Sequence, residues 1–310
     1  MNEGQIAALE RTIANSCGNI AGMIVLRDGE KQYENYFNGF DAGSAFHVFS
    51  VTKSVLSILI GIAVGRGQIG SVDEKVLGFF PDYVPKRGER TAQRVTIRDM
   101  LTMTAPFKYK SAPYTKYFSS ESWVKSALDL LGGKGEIGQF RYTPLIGPDI
   151  LSGILTKATG QSALAFAQDA LFRPLGIDVT RTIVFQTKEE QLSLVKERHT
   201  SGWVADPLGI NTAGWGLFLT PTDMANIGQL YLNNGIWNGE QIVSSAWIAE
   251  STREHSRCKE WGNLAYGYLW WLIDENSFAA LGDGGNAIYV NRKKNLVVAI
   301  ASLFKPSAAD

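Results

Sequence analysis

The run SVTKSVLSILIGIAVGRG, which begins at Ser50, constrains the fold more than any other part of this sequence. It is apolar on nearly every face of a helix, whereas a helix at a protein surface needs one polar face. We therefore predict a helix that is buried at the centre of the molecule and ends at Gly65 and Gly67. The uncharged stretch between Lys53 and Arg66 has about 12 residues, fewer than the roughly 20 that cross a membrane, so we expect no membrane partner.

The two ends of the chain are predicted to form one antiparallel sheet. Near the N-terminus, a helical segment at 5–15 precedes two strands joined at Asp28 and Gly29, a dipeptide typical of hairpin turns. Near the C-terminus, helices are predicted to begin at Thr220 and around the segment SSAWIAEST. Three strand-like stretches follow, YGYLWWLID, NAIYVN and NLVVAIASLF.

Helical periods and turns fill the chain between these two ends, and little of that middle region resembles a strand. The sequence therefore predicts an α/β (α+β) fold in which an antiparallel sheet is flanked by helices. We place the sheet domain at residues 1–67 and 216–310, and a mostly helical inserted domain at residues 68–215.

Charge and cysteine content limit the expected partners of this chain. Thirty basic and thirty acidic residues give a formal net charge of zero, so we expect no nucleic-acid partner. Cys17 and Cys258 lie far apart without metal spacing, so neither a disulfide nor a metal is expected. Glu3 and Glu10 stand where a secretory signal needs basic and then apolar residues. We expect a cytoplasmic location, with export of a longer precursor as the alternative, and the oligomeric state stays open.

The candidate chemistry is that of a nucleophile which works without histidine. The three histidines, His47, His199 and His255, form no Ser-His-Asp or metal pattern. A Ser-x-x-Lys pair on a helix places both side chains on one face, where a neutral lysine can accept the serine proton. The pattern occurs at Ser50/Lys53, Ser122/Lys125, Ser193/Lys196, Ser256/Lys259 and Ser302/Lys305.

Context distinguishes the first pair from the other four. Only Ser50 and Lys53 open a helix that is predicted to be buried, and burial makes a lysine lose its charge more easily. The helix N-terminus also stabilises negative charge near Ser50. The alternative is purely structural: Ser50 caps the helix while the Lys53 side chain extends to solvent.

The motif FSVTKS followed by an apolar helix resembles the nucleophile motif of the serine β-lactamase and penicillin-binding-protein superfamily, class C branch. The segments TAGWGLFLTPTDMANIGQLYLNNGIWNGEQIV, YGYLWWL and GDGGNAIYVNRKKNLVVAI resemble later parts of that family, and the resemblance covers most of residues 20–304. Esterase and 6-aminohexanoate-dimer-hydrolase-like members of the superfamily are also similar. The resemblance implies a β-lactamase/transpeptidase-like fold and catalysis through an acyl-serine.

The second family motif, Tyr-x-Asn, corresponds to Tyr142-Thr143-Pro144. The resemblance implies that Tyr142 is a general acid/base which, near Lys53, exists partly as phenolate and accepts the Ser50 proton. The alternative is a buried aromatic residue whose hydroxyl has found a partner. Pro144 replaces the asparagine whose amide holds the substrate in the family, and proline offers no such donor. This departure from the motif argues against recognition of antibiotic-type substrates.

The third family motif is Lys-Thr-Gly or His-Thr-Gly. The corresponding region keeps the glycines but has no lysine or histidine: Leu281-Gly282-Asp283-Gly284-Gly285-Asn286. By resemblance, a strand N–H of this segment forms an oxyanion hole with that of Ser50. Asp283 is the preferred donor and Asn286 the other alignment, while a plain glycine-rich hairpin turn is the structural alternative. An acidic residue here should disfavour substrates with a carboxylate and favour neutral or cationic acyl groups.

Other conspicuous residues are expected to be structural. Several aromatic residues could line an apolar acyl pocket, although most are expected in the core: Trp203, Trp215, Trp270, Trp271, Tyr114 and Tyr117. Asp223 is expected to act at a helix start, and His47 to pack. After the last strand the family usually has a C-terminal helix, whereas this chain ends at KPSAAD. Either the sequence is truncated or the N-terminal helix covers the sheet alone.

Together these features predict a serine hydrolase that acts on a small-molecule ester, amide or β-lactam through an acyl-serine. Ser50 is the expected nucleophile, and Lys53 with Tyr142 is expected to transfer protons. No cofactor is expected. The alternative is a non-hydrolytic penicillin-binding-like ligand sensor or peptide-binding protein, which slow deacylation would distinguish.

Overall fold

A computed structural model describes residues 2–194 and 200–304. The helices are α1 Glu3–Ser16, α2 Val51–Gly65, α3 Ile97–Leu101, α4 Tyr114–Phe118, α5 Trp123–Leu130, α6 Asp149–Thr159, α7 Ala163–Ala167, α8 Arg173–Leu175, α9 Lys188–Ser193, α10 Pro221–Leu232 and α11 Ser245–Ser251. The strands are β1 Ile20–Arg27, β2 Glu30–Tyr36, β3 Phe46–His47, β4 Thr182–Ile183, β5 Trp203–Val204, β6 Phe218–Leu219, β7 Ile236–Trp237, β8 Glu240–Gln241, β9 Ser256–Cys258, β10 Leu264–Tyr266, β11 Trp271–Asp274, β12 Ser277–Gly282, β13 Asn286–Asn291 and β14 Leu296–Ser302. Further short helical turns lie at Val76–Phe79, Gln168–Phe172 and Asp283–Gly285.

An eight-stranded antiparallel sheet is built from both ends of the chain, in the order β2-β1-β14-β13-β12-β11-β10-β9. The predicted hairpin is confirmed, because β1 and β2 pair across a turn in which Asp28 and Gly29 both have positive φ. Such backbone angles are easiest for glycine and tolerated by aspartate. The sheet and its helices confirm the predicted fold class.

The prediction for YGYLWWLID was wrong, because this stretch is not one strand. Strand β10 ends at Tyr266 and β11 begins at Trp271, and between them the Gly267 N–H donates to the Trp270 carbonyl. At Gly267 an added Cβ would lie 2.1 Å from the Ser251 carbonyl oxygen, so the neighbouring backbone leaves no room for a side chain there. The local pattern of aromatic residues gave no sign of this contact.

Local patterns did not predict strand β12, and only the family resemblance implied a strand near its end. Its residues, SFAALG, are mostly small and have weak strand preference. They form a strand because β11 and β13 supply hydrogen-bonding partners on both edges. The strand ends beside the start of α2, with Gly282 close to the backbone of Val48 and Ser50.

Helix α2 confirms the prediction of a buried central helix. Every residue from Val51 to Ala63 is buried. The helix packs against α6 on one side and against β12 and β13 on the other, so it lies between the helical part and the sheet. Among the described residues, no helix is long and apolar enough to cross a membrane.

Helix α1 covers part of the opposite face of the sheet. Its Ile13 is buried against Met23, Val25 and Tyr33 of the first hairpin. A capping box at Asn2 starts this helix. The segment KPSAAD is residues 305–310, which lie outside the described residues.

Candidate active site

Ser50 and Lys53 meet at the buried start of α2. Ser50 occupies the N-cap position, but its side chain accepts no capping hydrogen bond. Lys53 Nζ lies 2.8 Å from Ser50 Oγ. Both residues are buried: Ser50 is 9% exposed and Lys53 only 1%. The structural alternative, in which Ser50 caps the helix and Lys53 extends to solvent, is therefore wrong.

Two backbone carbonyls fix the orientation of the Lys53 amine. Its Nζ lies 2.7 Å from the carbonyl oxygen of Pro144 and 2.7 Å from that of Gly214. A carbonyl oxygen can only accept, so these two contacts consume two N–H groups. A neutral amine has two N–H groups and one lone pair, and the lone pair is then left for the Ser50 hydroxyl. The arrangement suits a lysine that accepts a proton from Ser50.

Burial also changes the charge state of Lys53. Desolvation lowers its pKa to about 7, while the negative charges of Asp283 and Asp149 oppose this shift. Near neutral pH, a substantial fraction of Lys53 is thus uncharged, in contrast to a lysine in water.

Tyr142 lies close to both Ser50 and Lys53. Its hydroxyl is a hydrogen-bonding partner of Ser50, and its ring centroid lies 5.3 Å from Lys53 Nζ. Burial raises the pKa of Tyr142 to about 12. The phenol therefore keeps its proton near neutral pH, which differs from the partial phenolate expected above. In this state Tyr142 can donate a proton, and Lys53 is the better acceptor.

The end of β12 approaches the backbone of Ser50. A Cβ added to Gly282 would lie 2.2 Å from the Val48 carbonyl oxygen and 3.3 Å from the Ser50 nitrogen. Within residues 2–194 and 200–304, neither the Ser50 N–H nor the Asp283 N–H donates to a protein acceptor. Both donors are thus available to a substrate oxygen.

The other two glycines of this segment form the turn between β12 and β13. Gly284 and Gly285 have φ of 81° and 91°, and they connect β12 to β13. The Asn19 side chain donates to the Gly284 carbonyl, and the Ser302 hydroxyl donates to that of Gly285. Gly282 is therefore brought beside Ser50, whereas Gly284 and Gly285 contact the N-terminal loop and β14. Asn286 is 1% exposed and donates to the Asp283 carbonyl, so it stabilises this turn.

Comparison with known families places this chain. The family model described as Beta-lactamase matches residues 9–310. This chain belongs to the Beta-lactamase family. The match does not distinguish the class C branch from the other branches of the family.

Similar proteins in this family include several hydrolases. The chain is 21% identical to the 6-aminohexanoate-dimer hydrolase of Paenarthrobacter ureafaciens, over 94% of this chain and 74% of that protein. Its fold is similar to a penicillin-binding protein homologue from Caulobacter crescentus, with a TM-score of 0.73, 17% identity and coverage of 97% and 91% of the two chains. It is also similar to a family VIII carboxylesterase, with a TM-score of 0.71, 16% identity and coverage of 96% and 90%. These relatives support a hydrolase of the Beta-lactamase family.

Asp149 is a candidate positioning residue that the sequence analysis missed. It is 2% exposed and accepts hydrogen bonds from the Tyr117 hydroxyl at 2.5 Å, the Ala213 N–H at 2.7 Å and the Gly214 N–H. Burial raises its pKa to about 6. Through these bonds Asp149 holds the segment whose Gly214 carbonyl accepts from Lys53. The available signal was a charged residue at the start of the apolar helix DILSGIL.

The remaining Ser-x-x-Lys pairs have no comparable setting where they are described. Ser122 caps α5 by accepting from the Lys125 N–H, and the exposed Lys125 amine pairs with Asp129. Ser256 lies in strand β9 and its hydroxyl donates to the Thr102 carbonyl. Lys196 and Lys305 lie outside the described residues, as does His199.

His47 and Asp223 take the structural places predicted for them. The Gly216 N–H donates to His47 Nε2 at 3.0 Å, and burial lowers the pKa of His47 to about 3. The His47 imidazole is thus neutral near pH 7, and its low pKa makes it a poor proton acceptor. Asp223 completes a capping box with Thr220 at the start of α10.

The aromatic residues divide between the core and a cavity. Trp203 and Trp270 are fully buried in the core, and Tyr117 donates to Asp149. Trp215 and Tyr114 line a cavity beside the site. Trp271 instead packs 5.6 Å from the Tyr142 ring, and so does the half-exposed Trp261. No group of three or more potential metal ligands occurs in the described part of the chain.

Proposed function

We propose that this protein is a serine hydrolase that cleaves an ester or amide through a covalent acyl-serine, with Ser50 as the nucleophile. The observation that carries this proposal is the contact set of Lys53. The two N–H groups of this buried amine point to fixed carbonyls, and its lone pair is left for the Ser50 hydroxyl. This arrangement is that of a base. The hydrolases among its relatives support the same reaction class.

In the proposed reaction, Lys53 accepts the Ser50 proton as Ser50 Oγ attacks the carbonyl carbon. The negative oxygen that develops is stabilised by the N–H groups of Ser50 and Asp283. Protonated Lys53 passes a proton by way of the Tyr142 hydroxyl to the leaving alcohol or amine, and the acyl-serine forms. Water then attacks the acyl carbon, and its proton passes through the same groups, Tyr142 and Lys53, to Ser50 Oγ. This step releases the acid and restores Ser50.

Pro144 still contributes to the proposed site although it replaces the asparagine of the family motif. Proline lacks an N–H but keeps its carbonyl, and that carbonyl orients Lys53. What Pro144 removes is the side-chain amide of the family motif. Together with the exposed Asp283 in place of a cation, this favours neutral esters or amides over carboxylate-bearing β-lactams. We further propose that the chain is nearest to the class C branch, because the motif order agrees.

The test is intact-protein mass spectrometry over time with a chromogenic cephalosporin and a short-chain p-nitrophenyl ester. We expect a transient acyl adduct in the wild type and none in Ser50→Ala. The matched control is Ser122→Ala, which removes the serine of another Ser-x-x-Lys pair and should leave the adduct unchanged. Equal acylation of Ser50→Ala and wild type would overturn the proposal, and a persistent adduct would indicate the ligand sensor.

The pH dependence of kcat/KM is expected to follow Lys53. Its neutral form is the active one, so kcat/KM should rise as pH increases through about 7, where the pKa of Lys53 lies. Asp283→Asn removes a negative charge that raises this pKa, so the rising limb should move to lower pH. Asp129→Asn removes a carboxylate of α5 that is not among the charges acting on Lys53, so it should not move the rising limb. If the rising limb of the pH profile stays in place or moves to higher pH in Asp283→Asn, the assignment of Lys53 as the base is contradicted.

A further inference from the structure

A cavity of about 640 Å³ opens beside the proposed nucleophile. Its lining includes Phe49, Leu145 and Asp283. Phe49 precedes Ser50, Leu145 follows the Pro144 carbonyl that holds Lys53, and Asp283 carries the proposed oxyanion donor. The cavity is therefore continuous with the reacting centre although Ser50, the residue at that centre, does not line it.

The deep wall of this cavity is aromatic and closely packed. Trp123 and Trp215 are stacked with their ring centroids 6.3 Å apart, and both are buried. Phe118 meets both indoles edge-on, at 5.1 and 5.7 Å. Phe185 stacks on Trp215 from another side, at 6.3 Å. Rings held by one another in this way present flat apolar surfaces that suit a planar apolar group.

The size of the cavity excludes a small acyl group as its best occupant. An apolar cavity of about 150 Å³ is enough for a benzene molecule. The volume here is several times larger, so an acetyl group would leave most of the aromatic wall without contact. An aromatic ring on a short alkyl chain can reach that wall while its carbonyl stays at Ser50.

The charge on the lining is negative. Asp283 is the one acidic residue among the described side chains that line the cavity, and none of them is lysine or arginine. His47, which also lines it, is held neutral by burial, with its pKa lowered to about 3. A ligand with a carboxylate would meet the Asp283 charge without a compensating cation.

We propose that this cavity binds the acyl half of the substrate, and that this acyl half is an uncharged arylalkyl group. The proposal rests on the function proposed above for Ser50. A second argument places the acyl group here: the leaving group must lie near the Tyr142 hydroxyl that protonates it. The Tyr142 ring packs against Trp261 and Trp271, and none of these three residues lines the cavity. The substrate class is thus an ester or amide of an arylalkanoic acid, which is released as the free acid.

The test compares p-nitrophenyl esters that differ only in the acyl group: acetate, 4-phenylbutyrate and 4-(4-carboxyphenyl)butyrate. Because the leaving group is constant, ratios of kcat/KM report on the acyl site. We expect 4-phenylbutyrate to exceed acetate by about 10- to 100-fold, as burial of the added apolar groups predicts. The carboxylate analogue should be slower than 4-phenylbutyrate, and Asp283→Asn should reduce that difference.

Two surface variants on α4 make the test specific to the cavity. Thr115 is exposed and lines the cavity, so Thr115→Trp should fill it. We expect at least a tenfold loss of kcat/KM for 4-phenylbutyrate and less than a twofold change for acetate. Lys116 is exposed on the same helix but does not line the cavity, so Lys116→Trp should change neither.

The outcomes separate this inference from the proposed function. Ser50-dependent turnover with equal rates for acetate and 4-phenylbutyrate, or equal losses for both in Thr115→Trp, would overturn the acyl assignment alone. A carboxylate analogue as fast as 4-phenylbutyrate would overturn the charge preference. Turnover that is as fast in Ser50→Ala as in the wild type would instead overturn the function of Ser50.

Discussion

Lys53→Met is expected to lower kcat/KM for any ester substrate by about 10²- to 10⁴-fold, the usual contribution of a general acid or base. Methionine has a similar length and shape but has no lone pair able to take the Ser50 proton. The Ser50 hydroxyl and the two donors of the proposed oxyanion hole remain, so a slow residual reaction should persist. The measurement is kcat/KM at pH 8, where wild-type Lys53 is mostly neutral because burial lowers its pKa to about 7.

Lys53→Met is expected to be less stable than the wild type, by less than the full cost of its lost hydrogen bonds. The substitution leaves the carbonyls of Pro144 and Gly214 without a donor, at a cost of about 1–3 kcal/mol in the free energy of unfolding for each unsatisfied group. It also removes a buried amine whose desolvation is unfavourable, and this offsets part of the cost. Thermal unfolding of the variant measures the balance.

Lys125→Met is the matched control for this prediction. Lys125 belongs to another Ser-x-x-Lys pair at a helix start, but its amine is exposed and pairs with Asp129. Its loss should leave kcat/KM unchanged. A Lys53→Met protein that is folded and within tenfold of wild-type activity would show that Lys53 is not the base.

Gly282→Ala is expected to lower kcat by about 10²- to 10³-fold, the loss associated with one oxyanion-hole donor. The added Cβ would lie 2.2 Å from the Val48 carbonyl oxygen, and backbone atoms cannot give way as a flexible side chain can. The end of β12 must therefore move away from Ser50, and the Asp283 N–H moves with it. The effect should fall on kcat more than on KM, because the oxyanion exists only in the transition state.

Gly65→Ala is the control for Gly282→Ala. An added Cβ at Gly65 meets no atom within 4 Å, and its φ is not positive. We expect wild-type kcat and equal or slightly higher stability, since alanine is the better helix former. Wild-type kcat in a folded Gly282→Ala protein would place the oxyanion donor elsewhere than β12.

Local patterns carried much of the fold prediction. The first hairpin was predictable because its turn depends on the backbone preferences of two adjacent residues, Asp28 and Gly29. The α2 helix was predictable because the residues that make it apolar are consecutive in the sequence. The break at Gly267 was not, since it depends on the Ser251 carbonyl, which belongs to the end of α11.

The sequence alone determined the pairing of the candidate nucleophile and base. Ser50 and Lys53 are three residues apart at a helix start, and helix geometry by itself brings such side chains together. It also determined that the helix carrying them is buried, because nearly every face of that helix is apolar. Tyr142 could be selected only by resemblance to a family motif.

The tertiary structure decided what this pair can do. The carbonyls that orient Lys53 come from residues 91 and 161 positions further along the chain, and no local pattern specifies such contacts. The pKa of Tyr142 and the aromatic cavity likewise depend on burial, which is a property of the packed chain. Helix spacing is a short-range property that the sequence encodes directly, whereas desolvation and long-range hydrogen bonds exist only once distant segments have come together.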